Sequence, residues 1–247
     1  MTTSTSPANN APDIVLLHGA NGCKAEMQPW CEALNSLGFR SHAISLAGHG
    51  GRAIPPALTM SEFTQDALTQ LDQMGLRTPV IVLGYSFGGL IALNLARNHP
   101  ERVRGIVSLA TKYVFDSATI GHFTHLLQVP RLIGLPHRRE HLTKVHYPND
   151  WRKLVEALHG FFSALAIQPP LSDADLRAIH CPTLVLSGAR DQLVSAAETQ
   201  ALARSLRRAR LAMFDGIAHP VTAIPVAGLA KAIGMWSERE GILPHAG

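Results

Sequence analysis

The chain has 247 residues, of which 46% are apolar and only 16% charged. That balance excludes a charge-rich disordered chain and leaves enough apolar side chain for a sizeable core. The net charge of +4 comes without any long run of Lys or Arg, which argues against a nucleic-acid arm, and three cysteines cannot build a disulfide framework, so a reducing, cytoplasmic setting is expected.

Residues 1–12 (MTTSTSPANNAP) are polar and carry no apolar core of a signal peptide, and they read as a flexible leader. The apolar run 14–17 predicts a buried strand, and 25–37 a helix, with Met27, Trp30, Cys31, Leu34 and Leu37 at helical spacing. A strand is expected over 39–46, then the loop Ala47-Gly48-His49-Gly50-Gly51. A helix should begin near Ser61, where Thr64 completes only part of a capping box, and run to about 74. The uncharged stretch 78–96 approaches the length of a membrane span, but its centre is rich in glycine. It reads better as a strand over 79–83, a tight turn and a helix over 90–98. Strands at 103–109, 183–186 and 211–214 and helices at 196–206 and 223–236 continue the rhythm.

Apolar strands each followed by a helix imply a parallel sheet covered on both faces. The fold class is therefore α/β, with about six mostly parallel strands. The core should comprise 13–110 and 176–247. Between them, 111–175 has no clear strand, clustered aromatics and several prolines. It reads as a helical insertion that folds back as a lid.

Gly84-Tyr85-Ser86-Phe87-Gly88 lies between a predicted strand and a predicted helix. A turn that tight needs glycines beside the serine and lifts the hydroxyl above the sheet, near a helix N-terminus. A serine is a weak nucleophile unless a base takes its proton and a third group orients the base. His219 follows the strand at 211–214, and Asp191 follows the strand at 183–186; both leave the sheet edge where parallel sheets collect catalytic groups. Asp215 is the rival acid on the histidine's own loop. The order Ser86, Asp191, His219 is the one expected when such a turn carries the nucleophile. The first loop, His18-Gly19-Ala20-Asn21-Gly22, and the N–H of Phe87 would supply donors for an oxyanion. His49 reads as a structural loop histidine, and His180 and Cys181 as structural too. No His, Cys or carboxylate spacing suggests a metal site, and no phosphate loop is present, so no cofactor is expected.

Together, His-Gly at 18–19, Gly-x-Ser-x-Gly-Gly at 84–89, Gly-x-x-Asp at 188–191 and Gly-x-x-His at 216–219 resemble the α/β-hydrolases over about residues 13–240. The resemblance implies that Ala20 N–H is the oxyanion donor from the first loop and that the insertion is the lid. The small size is similar to the single-domain esterases, including pimeloyl-carrier-protein methyl ester esterases. Two departures stand out. Ser45-Leu46-Ala47 before Gly48-His49-Gly50 lacks the acid many relatives carry, and no hairpin precedes the first parallel strand. The expected activity is hydrolysis of a carboxylic ester or thioester. Acyl transfer and carbon–carbon hydrolysis would use the same groups, and a non-catalytic receptor would lack one of the three. Residues 111–160 carry seven basic side chains against four acidic. Arg138 and Arg139 could therefore favour an acyl chain with an anionic end, or an acidic acyl carrier protein, as partner; the plainer account is a solvated helix face.

Overall fold

A computed structural model describes residues 11–243, so all but the end of the expected leader lies outside the described residues. Strands β1 (Asp13–Leu17), β2 (Arg40–Ile44), β3 (Val80–Tyr85), β4 (Val103–Leu109), β5 (Thr183–Gly188) and β6 (Ala209–Phe214) form one sheet. Their order is β2-β1-β3-β4-β5-β6, and every neighbouring pair is parallel. The inner strands are buried on both faces, as their uninterrupted apolar runs require, whereas the outer strands β2 and β6 are partly exposed. At the β2 edge, Asp13 accepts hydrogen bonds from Arg40 and pairs with His42. Charge there discourages pairing with another chain. Among the described residues no strand adds to the outer side of β2.

Alternation along the strands divides the core in two. Val15, Leu17, Val80, Val82, Ile106 and Val185 face one side, against helices α2 (Met60–Gln73), α3 (Phe87–Asn98) and α9 (Ala196–Ser205). Ile14, Leu16, Ile81, Leu83, Val107 and Leu186 face the other, against α1 (Gln28–Asn35) and α10 (Val226–Arg239).

Between β4 and β5 lie α4 (Ser117–Leu126), α5 (Val129–Ile133), α6 (Pro136–His146), α7 (Trp151–Ala164) and α8 (Asp173–Arg177). The sequence dictates their starts. Asp116, Asp150 and Ser172 accept a first-turn N–H, and Pro130 and Pro136 occupy the first turn of α5 and α6, where a missing N–H costs nothing. Phe123, Phe161 and Phe162 carry this insertion onto Phe63 and Phe87 of the core.

Three local expectations need correction. Residues 25–37 are not one helix: a 3-10 turn (Lys24–Met27) precedes α1, whose first turn contains Pro29, and Leu37 lies beyond its end. The cap of α2 is Thr59, not Ser61; its side chain accepts from Glu62 N–H at 3.0 Å. Helix α3 starts at Phe87 rather than at 90, because Gly88 and Gly89 are helical despite their poor propensity.

Candidate active site

The chain runs from β1 outward to β2 and returns to β3 on the other side of β1. At such a reversal the loops leaving the strands part and open a crevice. The loop after β1 carries Ala20 and the turn after β3 carries Ser86.

Ser86 sits at φ +52°, ψ −114°, a strained backbone for a residue with a side chain. The neighbouring glycines make the turn possible. A Cβ on Gly84 would lie 2.3 Å from Gly88 O, and one on Gly88 would lie 2.4 Å from Leu17 O. Ser86 N–H donates to Leu109 O at 2.8 Å, which ties the turn to the end of β4.

His219 reaches this turn from the loop after β6. Its Nε2 lies 3.0 Å from Ser86 Oγ, and its Nδ1 lies 2.8 Å from Asp191 Oδ2. The Asp191 carboxylate is buried, and its Oδ1 accepts N–H groups from Leu193 and Val194. Those donors hold the carboxylate against the imidazole and compensate its burial. Asp215 is exposed at the surface. The expected trio is thus brought into one hydrogen-bonded line, with Asp191 rather than Asp215 on the histidine.

Phe87 begins α3, so its N–H is among the first-turn groups that the helix does not use. On the facing loop, Gly22 N–H donates to Gly19 O at 3.1 Å, closing a turn with Ala20 and Asn21 at its centre. His18 braces that turn. Its Nε2 accepts Leu46 N–H at 3.0 Å, so its Nδ1 carries the proton and donates to Gly19 O at 2.7 Å. Gly19 C=O and Ala20 N–H share one rigid peptide plane. Burial pushes the His18 pKa down to about 4, so the ring is neutral and this donor pattern persists. Among the described residues, no group of three or more His, Cys, Asp or Glu is placed to hold a metal ion, and no helix is long and apolar enough to cross a membrane.

Residues 12–129 match the family model described as the alpha/beta hydrolase fold. A pimeloyl-[acyl-carrier protein] methyl ester esterase from Chromobacterium violaceum is 30% identical over 233 residues, covering 84% of this chain and 87% of that protein. A protein of the same name from Aromatoleum aromaticum is 30% identical over 239 residues, covering 85% and 92%. The chain belongs to the α/β-hydrolase family. Among solved structures, a thermophilic esterase from Thermogutta terrifontis superposes on this hydrolase with a TM-score of 0.74 at 23% identity, over 94% of this chain and 91% of that one. At that identity the likeness concerns the fold alone.

Other sequence candidates take different places in the hydrolase. Arg138 and Arg139 are both exposed on α6. Among the smaller influences on the Tyr85 hydroxyl, the Arg138 charge acts to lower its pKa. His49 is fully buried, with Nδ1 2.9 Å from Ala47 O, and so does not face the crevice mouth. His180 is exposed, and Cys181 is partly buried against the core, its pKa pushed up to about 11 by burial.

Tyr85 was not singled out by the sequence, yet its hydroxyl donates to His219 O at 2.6 Å and so fixes the histidine loop. Burial first, and the Asp191 charge second, push its pKa well up, so it remains a donor. Nor does the local sequence mark His146. Their partners are 134 and 125 positions away, beyond any local pattern.

Proposed function

We propose that this hydrolase cleaves a carboxylic ester through an acyl-enzyme on Ser86. The observation that carries the proposal is the unbroken hydrogen-bond line from Asp191 through His219 to Ser86 Oγ. The reaction class, hydrolysis of an ester bond, is that of its relatives. With Nδ1–H donated to Asp191, His219 presents Nε2 as a base. It takes the Ser86 proton as Oγ attacks the acyl carbon. The negative charge gathers on the former carbonyl oxygen, where Ala20 and Phe87 N–H groups receive it. The imidazolium then returns its proton to the departing alkoxide, and the alcohol leaves. Water, activated by the same His219, attacks the acyl-enzyme, and the acid leaves with Ser86 restored.

The substrate we propose is an acyl ester with an anionic end or an acyl-carrier-protein ester, as the relatives' names suggest. The basic face of α6, with Arg138 and Arg139, would meet its charge from above the crevice as part of a lid. Cys23, Cys31 and Cys181 are all free thiols, which supports the reducing cytoplasm as the compartment.

A fluorophosphonate should label wild-type protein on Ser86 alone, and Ser86→Ala should lower hydrolysis of a p-nitrophenyl ester on the order of 10^4-fold or more while remaining folded. Labelling at another residue, or wild-type turnover by the variant, would remove Ser86 from the reaction.

A further inference from the structure

The last residue of α6, His146, is fully buried, although the helix above it is largely solvent-facing. Its ring lies between two loops of the core. Nδ1 accepts Gly50 N–H at 3.1 Å, so in the neutral ring the proton sits on Nε2, which lies 3.2 Å from Asn21 O and donates to it. Burial lowers its pKa and favours this neutral form. His146 packs edge-on against His49 at 5.8 Å between centroids, and His49 lies 5.1 Å from His18. Three imidazoles therefore run in contact from the insertion to the loop bearing Ala20.

The point of attachment matters. Asn21 follows Ala20 and stands at φ +60°, a left-handed conformation that needs holding. His18 grips the peptide on one side of Ala20 from within the core. His146 grips the carbonyl on the other side of Asn21, and it comes from the insertion. The junction is reinforced nearby. Asn149 Nδ2 donates to Arg52 O, and His141 lies 3.1 Å from Glu26. The Asn149 contact lies away from the turn at 19–22, whereas Glu26 stands beside Gly22 without a hydrogen bond to the turn.

We propose that His146 is a positioning residue through which the insertion sets the oxyanion hole: its hydrogen bond to Asn21 O holds the turn that aims Ala20 N–H. The inference rests on the reading of Ser86 and Ala20 given above. It makes the seating of α6 a condition for stabilising the transition state, not only for covering the substrate.

The test compares three variants of the full chain on a small neutral ester, p-nitrophenyl acetate, which reaches no basic side chain on α6 by charge. His146→Leu keeps the bulk and loses both hydrogen bonds. It should lower kcat about tenfold or more with KM little changed, a part of the roughly hundredfold loss that follows removal of a whole oxyanion donor. Binding of a boronic acid that mimics the tetrahedral adduct should weaken by a similar factor. His146→Gln, whose Oε1 can accept from Gly50 and whose Nε2 can donate to Asn21, should restore most of kcat. Asn149→Ala loosens the same junction without touching the turn and should leave kcat near wild type. A folded His146→Leu protein with unchanged kcat would overturn the inference. So would a loss carried by KM, an equal loss in Asn149→Ala, or no recovery in His146→Gln. If His146→Leu does not fold, His146→Asn takes its place with the same expectation. Fluorophosphonate labelling of wild-type Ser86 separates the outcomes: absent labelling defeats the serine mechanism itself, whereas normal labelling with an inert His146 defeats only this step.

Discussion

Two carboxylates compete for His219 in the sequence, and the geometry separates them. Asp191 Oδ2 meets Nδ1 at 2.8 Å, while Asp215 is exposed. A neutral amide at 191 can present its NH2 to Nδ1 and stabilise the wrong tautomer, leaving Nε2 protonated and unable to accept from Ser86. Asp191→Asn should therefore cost on the order of 10^3–10^4-fold in kcat, and Asp215→Asn should keep a substantial fraction. Steady-state rates on one ester decide this, and the opposite ranking would pass the role to Asp215. The trio was readable from chain order because each member follows a strand. Tyr85 and His146 were not, because their partners lie far off along the chain.

The turn between β3 and α3 shows what an element demands of its residues. Gly88 permits α3 to pack on the end of β1, where a Cβ would meet Leu17 O at 2.4 Å. That atom belongs to a central strand and cannot move aside cheaply. Gly88→Ala should destabilise the fold by about 1–3 kcal/mol and displace Phe87 N–H, so that activity falls more than stability explains. Urea melts beside kcat would show it, and an alanine variant with unchanged melt and rate would mean the turn can shift. Helix starts were less legible than the turn. Thr59 with Glu62 at the third position carries the signal for α2, but Ser61 two residues on offers a competing cap in the sequence. For α3 the glycines needed by the turn masked helical residues, since local propensity speaks against them and tertiary contact decides.

At the scale of the whole molecule, buried histidines link stability to pH. His18, His49 and His146 all have depressed pKa values, with burial the first cause in each. The neighbouring histidines add repulsion, as do Arg52 on His18 and His49 and His141 on His146. Depressed values mean that the unfolded chain binds protons more readily. Stability is then full above about pH 6.5 and is lost as pH falls toward 4, by about 3 kcal/mol for His18 alone. Thermal melts between pH 7.5 and 4.5 should show a falling Tm, and a flat profile would contradict it. The basic face of α6 acts on the surroundings instead. Arg138→Glu with Arg139→Glu should raise KM for an anionic acyl ester about three- to tenfold, the worth of one or two exposed ion pairs, and spare a neutral ester. Added salt should shrink the wild-type preference. Equal effects on both esters would return these arginines to plain solvation.

Sequence alone was enough for the α/β rhythm, the count of six strands, the helical character of the insertion and the serine turn. Each depends on periodicity or on residues adjacent in the chain. It also yielded the chain order of Ser86, Asp191 and His219, since each follows a strand of a parallel sheet. Tertiary structure decided which acid faces His219, how Tyr85 secures the histidine loop, and that α6 ends in a buried histidine on the Ala20 turn. These contacts join segments more than a hundred residues apart in two of the three cases. No local pattern records such a meeting. It exists only once the sheet order has brought the loops to one edge and the insertion has packed onto the core.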